Sequence, residues 1–600
     1  MKHYVKWLVL CALLLGACPP VFGRDRDGTL AFAVSMERPS THYYHVVLRC
    51  EGLKGATQDF KMPAWTPGYY QIMDHARNVV NFRAEDGQGR SLAWTKTAKN
   101  TWRVRSDGAP VIVVSYDVYA FARSVADCYL DDSRAFISPT GLFMHVAGLL
   151  DHPATVTIET QTSFSQISTG LDPVEKRPNT FSAPNFDVLY DCPIMVGNQE
   201  IVSFEVQSIP HTVAITEPGD FDREKLVSVL KRMVEAAVSI IGDIPYRHYT
   251  FIMMGPGRGG LEHQNSMAVF TELPDLDDPG DYQGWLGFIA HEFFHLYNVK
   301  AIRPIALGPF DYDRENYANL LWLSEGGTVY YQNLILNRAG FMSREDCLEQ
   351  FQRSIANYEN IAGHEYQSAT QASFDVWLHF LRRGGDSANT TISYYDKGAA
   401  LCLLLDLKIR HETQNRRSLD DVMRTLYQTY FRQQNRGFTD REFRQVCETI
   451  AGGDLSEFFD VYASTTAEID YRKYLAYGGL QIDVEPKESS GAYLGADVRD
   501  QDGKVVVTAV RRDSPAAQAR LSVEDEIVAL DGERVTSSSL REMLESRRPG
   551  ETTRVLFARR DKISEIKVVL GQPAERSFAI TELPNPDELQ AEILNSWLQP

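Results

Sequence analysis

The sequence predicts a multidomain protein: an N-terminal antiparallel β-sandwich, a central α+β domain and a small C-terminal β domain. Short β-branched runs separated by turn residues fill residues 28–212, as in 45–48 and 154–158, which is typical of a sandwich. Near residue 220 the apolar residues change to helical spacing, and short strands return after about residue 478. A chain of 600 residues is also too long for one hydrophobic core.

These changes of pattern set the predicted boundaries. We expect a signal region at 1–23, the β domain at 24–212, the α+β domain at 213–477, the third domain at 478–573 and a tail at 574–600. In the central domain the spacing predicts helices at 222–241, 283–301, 316–338, 343–358, 394–413 and 418–434, and strands at 249–254 and 267–271.

Composition excludes several classes of protein. Hydrophobic residues make up 44% of the chain and charged residues 24%, which are globular proportions and exclude a disordered or collagen-like chain. The 61 basic against 80 acidic residues give a net charge of −19, which disfavours nucleic acid as a partner. Eight cysteines without a CxxC pair exclude zinc-finger and thioredoxin-type sites, and we expect a disulfide between Cys128 and Cys192.

The amino-terminal residues are typical of an export signal. Lys2 and Lys6 accompany an apolar run at 7–17 that is too short to span a bilayer. Two ends of the signal stay open: a lipobox-like stretch at 15–18 would leave a lipidated Cys18, and residues 21–23 would suit ordinary cleavage. No later segment reaches 18 apolar residues. We therefore expect an exported protein, either periplasmic or held on the cell envelope by a lipid anchor.

An HExxH motif supplies the first chemistry. His291 and His295 are four residues apart in a predicted helix, so both imidazoles lie on one face and can share one Zn²⁺. Glu292 projects about 100° around the helix from His291, where it can act as general base without binding the metal. A catalytic zinc needs a third ligand, and Glu325, in the apolar helical stretch 321–331, is the candidate.

Together with other runs, this motif resembles the glycyl aminopeptidase family of thermolysin-like (gluzincin) zinc metallopeptidases. The resemblance is carried by PAWTPGY at 63–69, GGLEH at 259–263, HEFFHLYNVKAIRP at 291–304, the block 322–331 and YYDKG at 394–398. It implies an N-terminal β domain, a thermolysin-like catalytic domain and a C-terminal PDZ domain. It also implies a preference for substrates that begin with glycine or alanine.

The resemblance implies further residue roles. Glu262 would bind the free α-ammonium of a peptide, and Gly259 and Gly260 would let the backbone approach the substrate closely. Tyr395 would donate its phenol hydrogen to the tetrahedral intermediate. Val329 stands where thermolysin has an acid that orients a zinc-bound histidine, so that histidine's partner must come from elsewhere.

The C-terminal domain allows two interpretations. A PDZ domain adds a peptide strand to its sheet edge and binds the peptide's carboxylate through backbone N–H groups. Its carboxylate-binding loop would be 493–496, whose sequence YLGA departs from the usual Gly-Leu-Gly-Phe pattern. The domain either binds the C-terminus of a peptide or only shields and shapes the catalytic cleft.

We therefore expect an exported zinc-dependent aminopeptidase that removes residues from the N-terminus of peptides or proteins. One alternative is a zinc endopeptidase whose PDZ domain assists substrate capture. Another is a non-catalytic exported binding protein with a vestigial zinc site. Replacing Glu262 with alanine distinguishes the aminopeptidase from the endopeptidase, because only an aminopeptidase depends on a free amine.

Overall fold

The computed structural model describes residues 28–599, except 258, 381–383, 385, 487–490 and 573–574. The predicted signal region at 1–23, including Cys18, lies outside the described residues. Among those that are described, no helix has both the length and the apolar character needed to cross a membrane.

The first domain consists of fifteen described strands and one short helix. The strands are β1 (Thr29–Ser35), β2 (Tyr43–Glu51), β3 (Thr57–Lys61), β4 (Val79–Asp86), β5 (Trp94–Ala98), β6 (Thr101–Arg105), β7 (Val111–Tyr119), β8 (Tyr129–Leu130), β9 (Ala135–Ile137), β10 (His145–Val146), β11 (Ala154–Glu159), β12 (Gln166–Thr169), β13 (Asp172–Pro173), β14 (Thr180–Ala183) and β15 (Ile194–Gly197), and the helix is α1 (Phe186–Tyr190).

These strands form three sheets. Their orders are β13-β14-β11-β1-β2-β7-β4, β10-β3-β6-β5 and β12-β15-β9-β8. Side chains alternate between buried and exposed along β2 and β7, and buried residues of the first two sheets share one apolar core, with Leu48 and Val114 from one and Phe60 and Trp102 from the other. The predicted sandwich is confirmed, although β1 pairs with β11 in parallel.

The central domain contains most of the helices. Its elements are β16 (Glu200–Val206), β17 (Ile209–Ile215), α2 (Arg223–Ile241), β18 (Tyr249–Met254), β19 (Gly260–Glu262), β20 (Ser266–Phe270), α3 (Pro279–Phe294), α4 (Gly327–Arg338), α5 (Arg344–Glu359), α6 (Ala369–Phe374), α7 (Val376–His379), α8 (Ser387–Thr390), α9 (Tyr394–Glu412), α10 (Leu419–Leu426), α11 (Asp440–Ala451) and α12 (Tyr471–Tyr477). Wide π-type turns occupy Leu296–Ala301, Trp322–Gly326, Tyr427–Gln433 and Glu457–Ala463.

A five-stranded sheet supports this domain, in the order β16-β17-β18-β20-β19. The strand β19 is therefore an edge strand, antiparallel to β20. The hairpin β16–β17 spans the predicted boundary at residue 213 and belongs to this sheet, because β17 pairs in parallel with β18. Its alternating pattern resembles that of the sandwich strands, so local sequence does not indicate which sheet it joins.

The C-terminal part contains β21 (Leu480–Pro486), β22 (Ala496–Gln501), β23 (Lys504–Val510), α13 (Pro515–Gln518), β24 (Glu526–Leu530), β25 (Glu533–Arg534), α14 (Ser537–Glu545), β26 (Thr552–Arg559), β27 (Lys562–Val569), β28 (Arg576–Glu582) and α15 (Glu588–Trp597). A separate apolar core is formed by residues 492–570. In contrast, β21 pairs with β28, and apolar residues of β21, β28 and α15 lie in the core of the central domain.

The six cysteines among the described residues are buried and free. The expected disulfide between Cys128 and Cys192 is wrong. The Cys128 thiol donates to the carbonyl of Ser138 at 3.3 Å, and the Cys192 thiol donates to Oδ1 of Asn265 at 3.7 Å. Each thiol thus has a different partner in its own part of the core.

Candidate active site

Three side chains converge at the end of α3. Nε2 of His291 and Nε2 of His295 are 3.0 Å apart, and Oε2 of Glu325 is 3.6 Å from the first and 3.2 Å from the second. The three ligand atoms lie within 4.8 Å of one another. Glu325 comes from the π-type turn before α4, which packs beside α3. The predicted metal ligands are therefore brought together in one buried cluster.

The hydrogen bonds of the two imidazoles test whether this cluster fits a metal ion. Nδ1 of His291 contacts Oε1 of Gln332 at 2.9 Å, and Nδ1 of His295 contacts the carbonyl of Asn298 at 2.7 Å. Both partners accept hydrogen bonds, so each Nδ1 carries a hydrogen, and the Nε2 atoms, which face each other, are the ring atoms left to bind a cation. Two imidazole nitrogens and a carboxylate that face one point fit a divalent cation, which takes the place of any proton on Nε2.

The electrostatics of the cluster agree with that fit. Burial alone would lower the pKa of His295, but the Glu325 carboxylate beside it raises this pKa to about 9. The imidazole of His295 in turn holds the pKa of Glu325 well below its usual range despite burial. The cluster therefore stabilises a positive charge at its centre.

Gln332 is a site residue that the sequence analysis missed. It follows Glu325 by seven residues, two helical turns, and so lies on the same face of α4. That spacing is the signal that could have found it. Gln332 supplies the hydrogen-bond acceptor for His291. The side chain of Val329, which stands at the position of the acid in thermolysin, cannot accept a hydrogen bond.

The general-base candidate Glu292 lies against the edge strand. Its side chain is buried, and burial raises its pKa to about 8. A β-carbon on Gly260 would be 2.2 Å from Oε1 of Glu292, so only glycine lets β19 approach the carboxylate this closely. Gly259 precedes it with φ of +104°, and its carbonyl accepts a hydrogen bond from Phe270 N at 2.9 Å.

Glu262 ends the same edge strand. It is only 5% exposed, yet its side chain has no hydrogen bond to any residue that the structure describes, and Oε1 is fully enclosed. The ammonium of Lys300 is 3.7 Å from this oxygen. A buried carboxylate without a hydrogen bond is costly, which indicates a binding function.

Two tyrosines border the cluster. The ring of Tyr395, at the start of α9, lies roughly parallel to that of His291, with centroids 6.1 Å apart. Burial and the charge of Glu325 raise the Tyr395 pKa, so its hydroxyl remains a hydrogen-bond donor. Tyr70, which the sequence analysis missed, comes from the first domain, and burial and the charges of Glu325 and Glu262 raise its pKa.

A cavity of about 340 Å³ borders Glu262 and Tyr70. Its wall also includes Lys300, Arg303 and Phe310. The cavity is formed by residues of both the first and the central domain. It adjoins Glu262 and could accept a side chain of a bound ligand.

The fold and this site together define a metallopeptidase with an HExxH helix and a glutamate from a following helix. Models of known families match three segments: the Peptidase M61 N-terminal domain at 31–198, M61 glycyl aminopeptidase at 284–401 and a PDZ domain at 492–570. The chain therefore has the N-terminal and catalytic domains of the M61 peptidases, followed by a PDZ domain.

One solved structure has a similar fold over nearly the whole chain. The crystal structure of an aminopeptidase N family protein from Idiomarina loihiensis is 27% identical, with a TM-score of 0.87 over 95% of this chain and 100% of that one. An M1 zinc metallopeptidase from Deinococcus radiodurans is 13% identical, with a TM-score of 0.46 over 74% of this chain and 96% of that one.

Among curated proteins, a probable CtpA-like serine protease from Staphylococcus haemolyticus is 22% identical over 167 residues. This match covers 27% of the present chain and 30% of the relative, so the chain spans less than a third of that relative's length.

Proposed function

We propose that the protein is an exported zinc-dependent aminopeptidase that hydrolyses peptides from their N-terminus, with glycine or alanine favoured. The observation that carries the proposal is Glu262, a buried carboxylate without a hydrogen bond, beside the triad of His291, His295 and Glu325. A peptide's α-ammonium is the complementary group. Support for export comes from the signal-like residues 1–23 alone.

The residues divide the chemistry among them. When bound, zinc would act as a Lewis acid on the scissile carbonyl and increase the acidity of water. The Glu292 carboxylate would accept the proton of the attacking water and pass it to the leaving amine. The Tyr395 hydroxyl would donate a hydrogen bond to the oxygen on which charge develops. Glu262 would fix the N-terminus so that the first peptide bond lies over the cluster.

The PDZ domain offers a second peptide site in this proposal. Strand β22 is an edge strand, and Leu540 and Leu544 of α14 line an open cleft beside it, facing α5 of the central domain. The cleft would accept the carboxyl terminus of a peptide by strand addition. A fluorescent peptide with a free C-terminus should bind, and its C-terminal amide should not. Equal binding of the two peptides would indicate that the domain only shields and shapes the catalytic cleft.

Turnover of glycyl- and alanyl-p-nitroanilide, compared with the N-acetylated compounds, tests the main proposal. We expect hydrolysis of free amines only, and loss of it after zinc chelation and in Glu292→Ala. Glu262→Ala should lower kcat/KM at least tenfold, whereas Glu235→Ala, an exposed residue of α2, should not. A panel of other N-terminal residues tests the preference for glycine and alanine, since the 340 Å³ cavity beside Glu262 could admit larger side chains.

Hydrolysis of the acetylated compounds, with Glu262→Ala unaffected, would identify an endopeptidase instead. No hydrolysis of any compound by the zinc-loaded protein would favour a binding protein.

A further inference from the structure

Asp191 of the first domain holds together the chain segments around Glu262. It follows α1, and its Oδ1 accepts hydrogen bonds from Nδ1 of His263 at 3.2 Å and Nζ of Lys300 at 2.9 Å. Its Oδ2 accepts from the backbone N–H of Gln264 at 2.7 Å. One carboxylate of the β domain therefore fixes both the turn after Glu262 and the segment after the HExxH helix.

Lys300 lies between two carboxylates at unequal distances. Its ammonium is hydrogen-bonded to Asp191 at 2.9 Å but is 3.7 Å from Oε1 of Glu262, which is an ion-pair distance without a hydrogen bond. Despite burial, the charge of Lys300 lowers the pKa of Asp191 to about 2. The hydrogen bond to Asp191 thus directs the ammonium away from Glu262.

We propose that Asp191 is a positioning residue that keeps Glu262 ready for a substrate's α-ammonium by holding the neighbouring ammonium of Lys300. Asp191 keeps the ammonium of Lys300 away from Glu262, so that this cation does not occupy the position that the substrate's α-ammonium needs. The inference rests on the proposed function, because it assumes that Glu262 binds the free amine.

Removing the charge of Asp191 tests this arrangement. In Asp191→Asn the ammonium of Lys300 is held less strongly and can move to Glu262, where it competes with the substrate. We expect KM for glycyl-p-nitroanilide to rise about tenfold, which corresponds to about 1.4 kcal/mol, while kcat changes less than about threefold. Adding Lys300→Met to that variant removes the competing cation, and KM should return to within about threefold of the wild-type value.

Asp86→Asn is the matched control. Like Asp191, Asp86 belongs to the first domain and its carboxylate accepts from a basic side chain, Nε of Arg90 at 2.6 Å, and from a backbone N–H, that of Gln88 at 2.9 Å, but it is not among the residues that line the cavity beside Glu262. Its KM should stay near that of the wild type. Zinc content and melting temperature are measured for every variant. If Asp191 only stabilised the fold, the double variant would have a higher KM than Asp191→Asn. A further rise in KM in the double variant therefore overturns the inference.

Lys300→Arg provides an independent test that keeps Asp191 intact. A guanidinium is larger than an ammonium and has five donors in a planar fork, so it can hydrogen-bond Glu262 as well as Asp191, and KM should rise with kcat unchanged. An unchanged KM in both Lys300→Arg and Asp191→Asn, with selective turnover of free amines by the wild type, overturns this inference alone. Turnover of acetylated substrates by the wild type overturns the proposed function and this inference together.

Discussion

The backbones of Gly326 and Gly398 are in direct contact. A β-carbon on Gly326 would lie 2.4 Å from Cα of Gly398, and one on Gly398 would lie 2.0 Å from the carbonyl oxygen of Trp322. The first glycine follows Glu325, and the second lies one turn after Tyr395. This contact therefore sets how far the phenol of Tyr395 is from the metal cluster.

Gly398→Ala should separate these two segments. Because an added methyl group has no room, α9 must shift, and misplacement of about 1 Å can cost about 100-fold in rate. We expect kcat/KM for glycyl-p-nitroanilide to fall by about that factor and the melting temperature to decrease. In the control Gly284→Ala, in α3, the new methyl group would meet no atom within 4 Å, so activity should persist and stability should rise slightly. Normal activity in Gly398→Ala would contradict this account.

Gln332 should control metal affinity through His291. In Gln332→Leu the Nδ1–H of His291 loses its acceptor, and loss of such a partner typically costs about 10–100-fold in metal affinity. Gln332→Glu retains an acceptor and should bind zinc at least as tightly as the wild type. Competition with a chromogenic chelator measures the dissociation constants. Gln371→Leu, at an exposed position of α6, is the control. Equal zinc affinity in Gln332→Leu and the wild type would contradict the prediction.

Tyr395→Phe should affect turnover more than binding. A phenol that donates to the developing oxyanion acts in the transition state, so we expect kcat to fall about 100-fold and KM to change little. Tyr394→Phe is the matched control, because its ring lies next to that of Tyr395, with centroids 4.8 Å apart, and is buried. Steady-state kinetics with glycyl-p-nitroanilide distinguish the two. If kcat fell only in Tyr394→Phe, Tyr394 rather than Tyr395 would be the hydrogen-bond donor to the oxyanion.

Helical spacing predicts the metal-binding part of the site, whereas Glu262 and Tyr395 were predicted only from the family resemblance. His291, Glu292 and His295 lie within one and a half turns, and Glu325 lies in an apolar helical run, so local periodicity indicates all four. Tyr70 and Asp191 were missed because they come from the first domain and reach the site only through domain packing. No periodicity within a segment encodes a contact between residues more than 100 positions apart.

The break after the zinc helix was also missed, for a related reason. The helix predicted at 283–301 ends at Phe294, and Asn298 has non-helical angles within the π-type turn that follows. That turn presents the carbonyl of Asn298 to His295. The apolar pattern continues through it, because the turn is buried, and so gives no sign of the break.

The C-terminal helix should be necessary for the stability of the catalytic domain. The indole of Trp597 is 1% exposed, stacks on Phe351 at 5.5 Å and donates to the hydroxyl of Tyr330 at 2.8 Å. That hydroxyl donates in turn to Oδ2 of Asp406 at 2.6 Å, joining α15 to α4 and α9. Trp597→Ala leaves a large cavity and should cost about 3–5 kcal/mol in the free energy of unfolding, measured by urea denaturation. Glu592→Ala, exposed on the same helix, should stay within about 0.5 kcal/mol of the wild type; an equally small effect of Trp597→Ala would show that the segment is dispensable.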